Sequence, residues 1–71
     1  MNEAVKRRIA QMKKIAADIK ATSDYINTQL NAVETDDDLD VVEMSFDSIE
    51  RWANEGYDIC RNTYDEFEEE P

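Results

Sequence analysis

The stretch ETDDDLDVV, Glu34 to Val42, decides how the chain folds. It opens with the polar run Glu34-Thr35-Asp36-Asp37-Asp38 and passes at Leu39 into apolar residues at helical spacing. Thr35 and Asp36 are residue types that cap helices, because a short side-chain oxygen accepts from the free amides of the first turn. The aspartates behind them fall where the helix dipole favours negative charge. The stretch therefore reads as a turn at 34–37 that starts a new helix.

Helical periodicity lies on both sides of that turn. Upstream, Val5, Ile9, Met12, Ala16, Ile19, Ser23, Ile26, Leu30 and Val33 recur at alternating intervals of four and three. Downstream, Leu39, Val42, Phe46, Ile49, Ala53, Gly56, Cys60, Thr63 and Phe67 do the same. This is the heptad seam of a helix that packs on another helix, and strand alternation fits neither segment. One Gly and one Pro in 71 residues also argue against a turn-rich sheet. The spacing predicts helix 1 over about 3–33 and helix 2 over about 37–68, each about 45 Å long. So short a connection makes them an antiparallel hairpin. The expected fold class is all-α: an antiparallel two-helix hairpin, coiled-coil-like, in one domain spanning 1–71.

Folding the seams together around the turn pairs Val33 with Leu39, Ile26 with Phe46, Ala16 with Gly56, Met12 with Cys60 and Val5 with Phe67. Ser23 would face Ile49; Thr22-Ser23-Asp24 also reads as a cap, and a break there would give three helices. Ala16 opposite Gly56 is a small-small layer. Gly inside a helix costs about 1 kcal/mol relative to Ala, so its presence implies either close helix approach or a large side chain filling the gap. Ile15, Trp52, Tyr57, Ile59 and Tyr64 fall outside the seam, more apolar surface than two helices cover. The expectation is a homodimer forming a four-helix bundle, or a partner docked on that surface.

Composition removes whole classes of function. With no His and a single Cys, Cys60, there is no catalytic triad, no zinc-type cluster and no internal disulfide. No Gly-rich phosphate loop occurs. No cofactor or metal is expected, and the chain is expected not to be an enzyme. Asp36, Asp38, Asp40 and Asp47 match positions 1, 3, 5 and 12 of a calcium loop, but Val41 stands where that loop needs glycine. Cys60, on the seam, reads as a buried small hydrophobe. MNEAVKRRIAQMKK lacks the apolar core of a signal peptide, and no run approaches a membrane span. A cytoplasmic location is expected, in a bacterial host cell if the chain is phage-encoded, with no membrane partner.

The net charge of −10 is unevenly placed. Residues 21–50 hold nine carboxylates, Asp24, Glu34, Asp36, Asp37, Asp38, Asp40, Glu43, Asp47 and Glu50, with no Lys or Arg. The rest of the chain holds eight basic and nine acidic residues and is nearly neutral. Lys6, Arg7, Arg8, Lys13, Lys14 and Lys20 would lie beside the tail acids Asp65, Glu66, Glu68, Glu69 and Glu70. Asp36, Asp40, Glu43, Asp47 and Glu50 form a one-face stripe, whose members repel each other by a few tenths of a kcal/mol per pair. Their rise of about 5–6 Å suits imitation of a phosphate row.

The leading expectation is a non-enzymatic inhibitor that mimics DNA or RNA and blocks a basic, nucleic-acid-binding site on another protein. Asp36, Asp37, Asp40, Glu43, Asp47 and Glu50 would act as phosphate substitutes, with Trp52 and Tyr57 as hydrophobic anchors. Acidic inhibitors of this kind are typical of bacteriophages and mobile elements, where they act against nucleases, restriction systems or CRISPR effectors. Direct nucleic-acid binding by so acidic a chain is not expected. In length and hairpin layout, however, the chain resembles the plasmid copy-number regulator Rop, without a shared motif. That likeness implies an alternative, an RNA-binding regulator using Lys6, Arg7, Lys13, Lys14 and Lys20. TDDDLDVVEMSF is also similar, over about a dozen residues, to the acidic helix of colicin nuclease immunity proteins, a likeness of capping chemistry that shows the kind of work such a helix can do. A structural or assembly module is the third reading.

Overall fold

A computed structural model describes residues 2–68, with the backbone alone for Glu68. It holds two α-helices, α1 (Glu3–Asn31) and α2 (Asp37–Glu68), joined by residues 32–36. The helices pack along their length as an antiparallel hairpin, 58 × 14 × 10 Å in its principal extents. Helix α1 runs unbroken through Thr22-Ser23-Asp24, so the three-helix alternative does not occur. It stops two residues earlier than the apolar spacing suggested; the amide of Ala32 closes it on the Gln29 carbonyl (3.0 Å), and Val33 lies in the connection. Asn2 starts it, its Oδ1 accepting from the Val5 amide at 2.8 Å.

Which residues face the partner helix differs from the sequence seam by one column. On α1, Val5, Ile15 and Ile26 are buried, and Met12 and Ile19 half-buried. On α2, Val42 and Thr63 are buried, and Ser45, Ile49, Trp52, Gly56 and Ile59 half-buried. The inner rows are therefore heptad positions that share Val5, Met12, Ile19 and Ile26 with the expected seam. They take Ile15 in place of Ala16, Trp52 in place of Ala53, and Ile59 in place of Cys60. Ala16, Ala53 and Cys60 are exposed, as are Leu30, Leu39, Phe46 and Phe67 at about half of their surface. The expectation that Cys60 is buried is thus corrected. Its thiol lies at the edge of the seam and donates to the Met12 thioether at 3.2 Å.

The glycine layer is also corrected. Gly56 faces Ile15, and a Cβ built on it would lie 3.8 Å from Ile15 Cγ2, an ordinary contact. A large side chain therefore fills the gap, and the small-small layer does not form. Thr63 is the one buried polar side chain among the described residues, and its hydroxyl donates to the Ile59 carbonyl at 2.7 Å. No helix is long and apolar enough to cross a membrane among the described residues.

Candidate functional site

The acidic surface is built by the start of α2. Asp38, one residue into the helix, folds its carboxylate back over the connection. Its Oδ2 accepts from the amides of Glu34 (2.9 Å) and Thr35 (3.1 Å) and from the Thr35 hydroxyl (3.4 Å). The cap expected from Thr35 or Asp36 is therefore supplied in reverse, by an acid reaching back as in the second half of a capping box. The Glu34 amide, then the Thr35 amide, hold the Asp38 carboxyl below the ordinary Asp range, outweighing slight desolvation, and the Thr35 hydroxyl adds to them. Asp38 is thus occupied by structure. The amides of Asp38 and Leu39 donate to the carbonyls of Thr35 (3.2 Å) and Asp36 (3.0 Å), and Asp36 and Asp37 are exposed.

Beyond the cap, Asp40, Glu43, Asp47 and Glu50 are all exposed on the side of α2 turned away from α1. A shallow groove runs among them, lined by Glu43, Met44, Phe46, Asp47 and Glu50. Two of the nine acids in the closed half find bases just outside it. Arg51 Nε lies 3.6 Å from Asp47, and Lys20 Nζ 3.4 Å from Asp24. The view that this half lacks any compensating base is corrected to that extent. Asp36, Asp37, Asp40, Glu43 and Glu50 form no ion pair among the described residues.

The two aromatic anchors part company. Tyr57 continues the column of Glu43 and Glu50 one heptad on and is exposed, with the Arg61 guanidinium 5.6 Å from its ring centre. Trp52 is half-buried on the inner side of α2 and borders a groove with Ile15, Lys14 and Asp18 of α1. It does not lie beside the acidic stripe, because the inner row is rotated by one column from the expected seam.

The basic end is as much paired as exposed. Arg8 reaches Glu66 across the hairpin at 3.3 Å, both side chains about seven-tenths buried, so the expected neighbourhood of helix 1 bases and tail acids is real there. Glu69 and Glu70 lie outside the described residues. Lys6, Lys14 and Lys20 each pair with an acid of their own helix, Glu3, Asp18 and Asp24. No group of three or more acids or Cys is arranged to hold a metal among the described residues, and Asp36, Asp38, Asp40 and Asp47 are spread along a turn and a helix. No known family matches the chain, and neither a curated protein nor a solved structure shows significant similarity to it.

Proposed function

We propose that this chain is a non-enzymatic inhibitor whose acidic surface occupies a basic, nucleic-acid-binding site on another protein. One observation carries the reading. Asp36 at the end of the connection and Asp37, Asp40, Glu43 and Glu50 along the first half of α2 stand exposed without an ion-pair partner among the described residues. Such a row raises the free energy of the helix through like-charge repulsion. A basic groove relieves that repulsion and releases counterions, as it does with a phosphate backbone. Asp47, shared with Arg51, joins the row when that exposed pair opens, at a cost below about 1 kcal/mol. A nuclease, restriction enzyme or CRISPR effector presents a groove of the required charge, and a phage or mobile element is the setting that suits such an inhibitor.

The test is binding by the immobilised chain in a bacterial host lysate. A basic nucleic-acid-binding protein should be held at low salt and released at high salt. Glu43→Lys, Asp47→Lys and Glu50→Lys together should abolish retention while circular dichroism shows unchanged helix. Failure to hold any basic protein at low salt would sink the proposal. Of the residues of the RNA-regulator reading, Lys6, Lys14 and Lys20 hold exposed pairs with acids of their own helix, while Arg7 and Lys13 hold none among the described residues; a shifted RNA hairpin in a gel would favour that reading. Activity that survives the triple change would instead favour a structural module.

A further inference from the structure

The two broad sides of the hairpin differ in kind. One carries Gln11, Asp18, Ser48 and Glu55 interspersed with exposed Tyr25 and Val41, and bears the grooves between the helices. The other carries two parallel rows without a single charge: Ile9, Ala16, Ser23 and Leu30 on α1, and Leu39, Phe46, Ala53, Cys60 and Phe67 on α2. Leu30, Leu39, Phe46 and Phe67 are 47, 47, 55 and 46% exposed. These rows lie next to the inner columns that run from Val5 to Ile26 and from Val42 to Thr63, so each helix carries a second column without charge that packing of the two helices leaves largely uncovered.

The α1 row reads the same in both directions about one height, and the α2 row does so at its ends, with Phe46 and Cys60 making a large-small pair. On α2 the row reads large, large, small, small, large, and its middle member is Ala53. On α1 it reads large, small, small, large, with its middle between Ala16 and Ser23. Since Gly56 faces Ile15, Ala53 stands level with Asp18, within about 2 Å of the α1 midpoint. A two-fold axis through that height, perpendicular to the helices, sets Leu39 over the second copy's Phe67, Phe46 over Cys60, and Ala53 over Ala53. On α1 it sets Ile9 over Leu30. Bulky side chains then close the ends and small ones sit at the crossing.

We infer that this charge-free side is the interface with a second copy of the chain, laid on antiparallel about Ala53, to give a four-helix bundle. Charge selects the antiparallel arrangement over the parallel one. Parallel copies would stack one half bearing nine carboxylates on another, whereas antiparallel copies set each against the nearly neutral open half. Lys6, Lys13 and Lys20 edge the same side on α1 and extend past it into water on flexible stems. From Leu39 to Phe67 the surface is about 42 Å long and about 18 Å wide, the roughly 800 Å² per partner of an ordinary stable interface. The acids of the proposed inhibitory surface remain at the rim or outside it, so this inference does not depend on that function.

Sedimentation equilibrium of the full chain under reducing conditions tests association, and a cross-link tests geometry. The dimer mass is expected, and Phe46→Lys should give the monomer mass. In a Cys60→Ser background, Ala53→Cys should oxidise to a disulfide-linked dimer, because both copies of that position meet at the axis within disulfide range. Asn54→Cys, on the outer side, should not. The native Cys60 thiols of the two copies would lie about 21 Å apart and should stay reduced. A monomer mass for the unaltered chain overturns the inference. So does a dimer in which position 53 cross-links no faster than position 54.

Discussion

At the scale of single residues, Gly56 and Asp38 show opposite relations to the fold. Gly56 has a right-handed helical backbone and room for a Cβ 3.8 Å from Ile15 Cγ2. Nothing within the chain requires glycine there. Gly56→Ala should therefore stabilise the protein by about 1 kcal/mol, a rise in melting temperature of about 4–8 °C for a chain this size. A lower melting temperature would show that a partner or second copy approaches the backbone at that point. Asp38 is tied into its site by three accepted hydrogen bonds. Because its carboxyl titrates below the ordinary Asp value when folded, its stabilising effect is complete above about pH 4 and is lost as the pH falls through the folded value. Asp38→Asn should accordingly lower the melting temperature at pH 7. The gap to the unaltered protein should narrow as the pH is taken below the ordinary Asp value in a series of thermal melts.

At the scale of helices, most of the fold is legible in the sequence. The seams alternate four and three, the polar run Glu34–Asp38 falls between them, and both helix starts agree with expectation. What periodicity does not resolve is which of two adjacent columns turns inward. The expected seam carries Ile9, Leu30, Phe46 and Phe67, whereas the true inner rows include Thr22, Gln29, Ser45 and Glu66 at intermediate burial. Hydrophobicity favours the former, and close packing of two helices around Ile15 and Gly56 selects the latter. The column from Val5 to Ile26 on α1 and that from Val42 to Thr63 on α2 belong to both choices. Ile15→Ala should thus cost about 2–4 kcal/mol and, with so thin a core, abolish a cooperative melt, although Ile15 lies outside the expected seam. A melt that stays cooperative within a few degrees of the parent would return the seam to Ala16. The acidic candidates were legible as a stripe. The role of Asp38 was not, because a backward-reaching cap and a forward one share the same residue types. Nor was the inward turn of Trp52, which follows from the same one-column rotation.

At the scale of the whole molecule, charge is segregated along a rod 58 Å long. Ion pairs concentrate toward the open half, where Arg8 bridges to Glu66. The closed half is held against its own repulsion, so added salt should stabilise the protein. The melting temperature should rise between about 10 mM and 1 M NaCl, as the screening length falls from about 30 to 3 Å. A protein held together chiefly by surface ion pairs would show the reverse. Glu43→Gln, Asp47→Gln and Glu50→Gln together should flatten this dependence. Thermal melts across that range distinguish the cases.

The short connection over residues 32–36 also bears on the rate at which the chain folds. Contacts next to it close the smallest loops and lose the least chain entropy, so a hairpin of this topology gains most by zippering from its closed end toward its termini. In this chain that end is also the acidic one. The first turns to meet, around Val33, Leu39 and Val42, must come together among like charges, before Ile15 and Val5 can contribute. Folding should start slowly for so local a fold and accelerate with ionic strength, while unfolding, governed by the far seam, should change little. A stopped-flow chevron at two salt concentrations would show the folding limb moving and the unfolding limb nearly fixed.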